Sequence, residues 1–138
     1  MAVTGSMGVV LLVGRVLFGG VLAVMGLNHF LRTDDMTAYA AHKDVPVPRL
    51  AVLGSGAVLV LGGLGIVFGA YPMLAGLGVA VFLLASGVLM HNFWAVPAED
   101  RQTELTQFLK NVVIAGGALV VAAVSLEAWA YSLGVGLF

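Results

Sequence analysis

Charge is what this chain has least of. Of 138 residues, six are Lys or Arg and seven are Asp or Glu. Three stretches carry none of these: Val16–Leu31, Leu50–Asn92 and Asn111–Leu126. A soluble domain of this size needs a mixed charged surface to stay dispersed, so a water-dispersed globule is excluded. Cysteine is absent altogether. That removes disulfides, thiolate nucleophiles and Cys-ligated metals. A net charge of −1 leaves no basic footprint for nucleic acid. The opening residues MAVTGS hold no Lys or Arg. A secretory signal begins with a positive region, so the first apolar run is expected to be a retained span.

What is present is apolar. Hydrophobic residues make up 61% of the chain, and its mean hydropathy is +1.09. Lipid must therefore be the solvent. A spanning helix takes about 20 apolar residues, which divides the chain into Gly8–Phe30, Leu50–Phe68, Pro72–Met90 and Gln107–Leu126. The expected fold is all-α: one transmembrane domain, residues 1–138, built as an integral membrane four-helix bundle. Met36, Tyr39 and Ala40 recur at helical spacing, with Asp34 and Asp35 where a first turn favours acids. They predict a short interfacial helix, Asp34–His42, between spans one and two. Tyr71–Pro72 breaks spans two and three into an antiparallel hairpin, with Pro72 suited to a first helical position. Asn92–Thr103 reads as a second polar loop. Glu127, Trp129 and Tyr131 mark the exit of the fourth span into the headgroups.

Three spans carry a small or polar stripe. Arg15, Gly19, Leu22, Gly26 and His29 share a face of the first. Gly76, Ala80, Gly87 and His91 share one of the third. Glu104, Gln107, Asn111, Ala115, Ala118 and Ala122 share one of the fourth. Small residues let helix backbones approach in lipid, so these faces should point inward, and Gly65 and Gly69 add a GxxxG pair. The polar ends of the stripes then converge. His29, His91, Gln107 and Asn111 are expected to ring the loop-side mouth, with Asn92, Trp94 and Lys110 beside it. The histidines have three readings: imidazoles bonding the last carbonyls of their helices, a site for a quinone or other carbonyl ligand, or metal ligands. The last is the weakest, because no carboxylate stands at a fixed spacing, and no metal is expected. Asn111 is a buried amide that needs partners. Arg15 lies inside the first span and either snorkels toward the termini or pairs internally.

The motif order resembles the DoxX family of small four-helix membrane proteins. The first span reads GRVLFGGVLAVMGLNHF, with His29 where the family pattern often has Lys. YAAHKDVPVP follows, then a Gly-rich span, then MHNFW, and QFLKNVVIAGG opens the fourth span. The likeness runs from about Val9 to Ala123, and FLKN after the FW-containing loop is its most specific part. The resemblance implies a four-helix bundle with a membrane redox association. The family takes its name from membrane subunits of a thiosulfate:quinone oxidoreductase. More distantly, it is similar to cargo receptors of the early secretory route and to membrane proteins of amine dehydrogenase maturation.

Two functions follow as expectations. One is an accessory membrane subunit of a quinone-linked redox process, with a quinone or lipid in a polar pocket at the loop-side mouth. The other is a non-catalytic scaffold or assembly factor that packs against other membrane or redox proteins. Both belong in the plasma membrane of a bacterium or archaeon, as a multi-pass protein in the bilayer. No motif names a substrate or a reaction. Four spans put both termini on one side. Arg32, Lys43, Arg49, Arg101 and Lys110 all lie in the polar loops or their helix ends, which assigns those loops to the cytoplasm. The family resemblance implies cytoplasmic termini instead. By the charge count, Asp100→Cys should be shielded from an impermeant thiol reagent in intact cells, and Ser132→Cys should react. The reverse labelling would favour the family orientation, and the absence of native cysteine makes the assay clean.

Overall fold

The computed structural model describes residues 2–136. Five helices follow in order: α1 (Gly5–Leu31), α2 (Thr33–His42), α3 (Pro48–Phe68), α4 (Pro72–Met90) and α5 (Ala98–Val124). A 3-10 turn, Phe93–Ala95, joins α4 to α5. α1, α3, α4 and α5 are long and apolar enough to cross a membrane. Their outward faces agree: Val113 is 73% exposed, Leu61 71% and Val81 68%. Residues so apolar and so exposed belong against lipid. The chain is an all-α membrane bundle.

Local chemistry sets the helix ends. Pro48 and Pro72 begin α3 and α4, where a missing N–H costs nothing. Gly69 closes α3 in the left-handed conformation, φ +64°, and the Ala70 N–H turns back to the Gly65 carbonyl at 2.9 Å. The Thr33 hydroxyl caps α1 through the carbonyls of His29 and Phe30, at 2.8 and 2.9 Å. Sequence spacing placed the fourth helix at Gln107 and a loop over Asn92–Thr103. The helix in fact starts at Ala98. Glu99 and Asp100 occupy its first turn, where acids complement the helix dipole, so its polar start is helical although too polar for lipid.

Two helix pairs are packed backbone to backbone. In α1 and α3, a Cβ on Gly19 would collide with the Gly63 carbonyl oxygen, and one on Gly26 would lie 2.8 Å from the Gly56 carbonyl oxygen. In α4 and α5, a Cβ on Gly76 would lie 2.6 Å from the Ala118 carbonyl oxygen. The predicted stripes are these contact faces: Arg15, Gly19, Leu22 and Gly26 are buried on α1, and Asn111, Ala115, Ala118 and Ala122 on α5. α3 and α4 close on each other only near their turn, where Gly62 meets Val79 and Gly65 meets Ala75. Leu22, Leu59, Ile66, Val79, Leu83 and Ala118 lie in the core between the pairs.

The end that holds the termini is sealed by Arg15. Its side chain is buried, with 1% exposure for the residue. Nε donates to the Ile66 carbonyl at 3.0 Å and Nη2 to the Val67 carbonyl at 2.6 Å. Nη1 and Nη2 donate to the carbonyls of Ala130 and Tyr131, each at 3.1 Å. The guanidinium also lies 5.0 Å from the centre of the Trp129 ring. Of the two readings open for Arg15, snorkelling is therefore wrong. It pairs internally, with carbonyls rather than an acid, because the last carbonyls of α3 have no helical partner and carry the negative end of its dipole. The tail after α5 folds over this knot. Ala2–Val3 pairs in parallel with Ala128–Trp129, a two-residue strand pairing (β1 with β2) that the all-α reading did not include. Trp129, expected as a headgroup anchor, instead covers Arg15 and donates from Nε1 to the Val124 carbonyl at 3.0 Å.

Arg15→Met should strand those carbonyls and destabilise the bundle by about 3 kcal/mol or more, since each buried unpaired group costs about 1–3 kcal/mol. Arg15→Lys should recover only part of this, because a point charge cannot span the fork. Thermal unfolding in mild detergent checks both, and a Met variant as stable as the parent would remove the knot from the account.

Candidate functional site

The close contact of α3 and α4 does not continue to the loop end. There a cavity of about 440 Å³ opens between the two helix pairs. α1 contributes Met25 and His29, and α3 contributes Val52, Ser55 and Leu59. Phe82, Leu83, Ser86 and His91 line it from α4, and Lys110 and Asn111 from α5. Met36, Tyr39 and Ala40 of α2 cover it. The lining reaches Ala85 and Leu89, which are exposed on α4, so the cavity opens sideways toward lipid. A smaller cavity of about 210 Å³ lies at the other end, among Tyr71, Met73, Ser125 and Leu126. None of the predicted site residues borders it.

A polar cluster closes the rim of the larger cavity. Glu104 lies at its centre. One carboxylate oxygen accepts from the Lys43 ammonium at 3.0 Å. The other accepts from His91 Nδ1 at 2.9 Å. Lys43 also donates to the Asn92 amide oxygen at 3.4 Å. Tyr39 points its hydroxyl at Glu104 from 3.5 Å, the limit of a hydrogen bond. Burial pushes the Tyr39 phenol above its ordinary range, so the group stays a proton donor. The Lys43 and Glu104 side chains are only 11% and 14% exposed. This ion pair is therefore far less screened than the exposed Arg32–Asp35 and Arg49–Asp34 pairs.

The predicted site residues divide into two groups. His29, His91, Lys110 and Asn111 line the one cavity. His29 donates from Nδ1 to the Met25 carbonyl one turn back, at 3.0 Å. Asn111 is buried and donates to the Leu83 carbonyl at 3.4 Å, joining α5 to α4. Its close small neighbour is Gly87. Gln107, Trp94 and Asn92 are not brought to the cavity wall. Gln107 accepts from the Lys110 ammonium, one turn along the exposed side of α5. Trp94 stacks edge-on with Phe93 at 5.0 Å and Phe108 at 6.0 Å, an aromatic group that packs the α4–α5 turn. Asn92 stands behind the rim as a partner of Lys43.

Sequence reasoning missed Lys43 and Tyr39 and left Glu104 out of the site. Glu104 stood on the inward stripe of the fourth span, and that was the usable signal. The predicted span began only at Gln107, which left Glu104 outside the part of the helix read as lining the mouth, although the helix runs from Ala98. Lys43 gave no signal, because its meeting with Glu104 depends on where α2 lies.

This geometry defines a class: a small four-span membrane bundle with a laterally open, ligand-sized cavity. A model of the DoxX family matches residues 10–92, and the chain belongs to that family. The matched region holds Arg15, His29, Lys43 and His91, whereas Glu104, Lys110 and Asn111 lie beyond it. The chain is similar to Inner membrane protein YphA of Escherichia coli (strain K12), 26% identical over 114 residues. That match covers 83% of this chain and 81% of that protein. No solved structure matches. Four apolar spans and this kinship make the chain a multi-pass protein of the plasma membrane.

α2 packs mainly on α3, and Tyr39 of α2 and Lys43 just after it reach across to Glu104 of α5. Glu104→Gln removes the charge that holds them. It should lower stability by about 1.5–3 kcal/mol, the range for a hydrogen bond to a charged group. Amide exchange over residues 33–45 should also quicken. Unchanged exchange would mean that packing on α3 holds α2 without the cluster.

Proposed function

We propose that this DoxX-family protein is an accessory membrane subunit of a quinone-linked redox process, with the quinone carrier held in the loop-end cavity. The supporting observation is the pairing of an apolar, laterally open cavity with a polar rim. Met25, Leu59, Phe82 and Leu83 offer a surface for a flat ring and its isoprenoid or alkyl tail. His29, His91 and Asn111 offer hydrogen-bonding groups for ring oxygens. A few polar groups converging in an apolar cavity are the usual form of a small-molecule site. The opening toward lipid suits a ligand that arrives by diffusion in the bilayer.

A second reading has its own observation. Gly14, Gly54, Gly78 and Gly116 lie on outer helix faces with nothing within 4 Å of an added Cβ. Such positions suit close packing by helices of another membrane protein, as a scaffold or assembly factor would need.

Gentle purification followed by solvent extraction separates the readings. The quinone reading expects a lipid-soluble quinone in the extract, reduced in amount by Ser86→Phe, which fills the cavity. A quinone-free extract with stably co-purifying membrane proteins, lost on Gly54→Leu or Gly116→Leu, would favour the scaffold.

A further inference from the structure

We propose that α2 is a hinged lid over the water-facing side of the loop-end cavity, latched shut by Lys43 and Tyr39 on Glu104. Such a lid governs access to the cavity whatever ligand fills it, and so stands apart from the quinone reading.

The cover is a helix set between two joints. Met36, Tyr39 and Ala40 of α2, and Val45 just after it, line the cavity, and Ala40 is buried. Asp34 and Asp35 of the same helix are strongly exposed, so its outer side meets water or headgroups. One residue, Arg32 at φ −124° and ψ 36°, separates α2 from α1. Toward α3 the chain passes through Asp44 and Val47, which take the left-handed conformation at φ +56° and +48°. Few non-glycine residues adopt it, and a β-branched valine there is an outlier. Residues held in such conformations cluster at ligand clamps and switch regions.

Opposing forces act on the closed position. Three hydrogen bonds tie it across the cavity: Lys43 to Glu104 at 3.0 Å, Lys43 to Asn92 at 3.4 Å and Tyr39 to Glu104 at 3.5 Å. The backbone of α2 stays with α3 and α1, and the Asp34–Arg49 pair keeps to that half. Thr37 works against the latch. Its hydroxyl oxygen is buried without a hydrogen-bond partner, the one such side-chain atom among the described residues. A buried polar group left unpaired is costly, and lifting α2 lets water reach it. Closure is thus held by a few polar bonds at one edge and opposed by a defect under the helix.

The test uses the whole chain in lipid nanodiscs. It has no cysteine, so Ser86→Cys puts a single thiol on the cavity wall. Its rate of modification by a negatively charged methanethiosulfonate, which lipid excludes, reads access from water. Lys43→Met cuts the latch but leaves Glu104 its bond to His91. It should raise the rate about tenfold, the factor for one hydrogen bond to a charged group. Loss of a cation makes the rim less attractive to the anionic reagent, so electrostatics cannot mimic this rise. Thr37→Val keeps the side-chain shape and removes the unpaired hydroxyl, so it should slow the rate several-fold. A thiol placed instead at Ala80, in the core, should stay unreactive when combined with Lys43→Met. Rates within about twofold of the parent for both Lys43→Met and Thr37→Val overturn the lid. A Ser86→Cys parent that reacts as fast as an exposed thiol also overturns it, because the cavity then stands open to water. Equal acceleration at Ala80 does so too, since the whole bundle would have loosened. Where Lys43→Met does not fold, Thr37→Val decides alone.

Discussion

The contact of glycine with a facing backbone is the constraint on which the rest of this structure depends. Lipid gives helices no hydrophobic reason to associate, so packing must come from close fit. Gly19 against Gly63 and Gly26 against Gly56 bring α1 and α3 together along much of their length. Gly76 against Ala118 does the same for α4 and α5. Where the glycine contacts stop, the helices part. Gly62 and Gly65 close α3 onto α4 near the turn, and the space beyond Leu59 and Phe82 is the cavity. The site thus lies where the close glycine contacts between α3 and α4 end.

The two ends of the bundle deal with polar groups in opposite ways. At the terminal end, one arginine serves four carbonyls, and the tail is folded over it. Its guanidinium is turned to the backbone, and none of the predicted site residues borders the small cavity at this end. At the loop end, Glu104 collects Lys43 and His91 from two other segments and uses one nitrogen of the imidazole. The same His91 lines the cavity. A closed end holds the bundle together, and an open end keeps hydrogen-bonding capacity available.

Much of the fold was legible in residue order. Pro72 and the Tyr71–Pro72 break marked the hairpin, and the predicted Pro72–Met90 span has the observed bounds of α4. The stripes of α1 and α5 identified the buried faces, because a helix in lipid shows its inward side by size as well as polarity. Of the candidate site, His29, His91, Lys110 and Asn111 share a cavity, since helical spacing fixes which face a side chain occupies. Gln107 and Trp94 do not reach the cavity, because a turn's offset or a local aromatic contact turns them aside. Arg15 was legible as an intramembrane charge but not as a knot. Two of its four acceptors are carbonyls in a tail more than a hundred residues away.

By itself the sequence determined that this protein lives in lipid, how many times it crosses, and which helix faces turn inward. These depend on composition and on a period of 3.6 residues, both local properties. Tertiary structure alone decided that Lys43, His91 and Glu104 meet, that Arg15 finds carbonyls rather than an acid, and that one end of the bundle stays open. Each of these joins residues far apart in the chain, and their distance in space is set by how closely whole helices approach. That approach is fixed by contacts with a facing helix, which no single helix encodes.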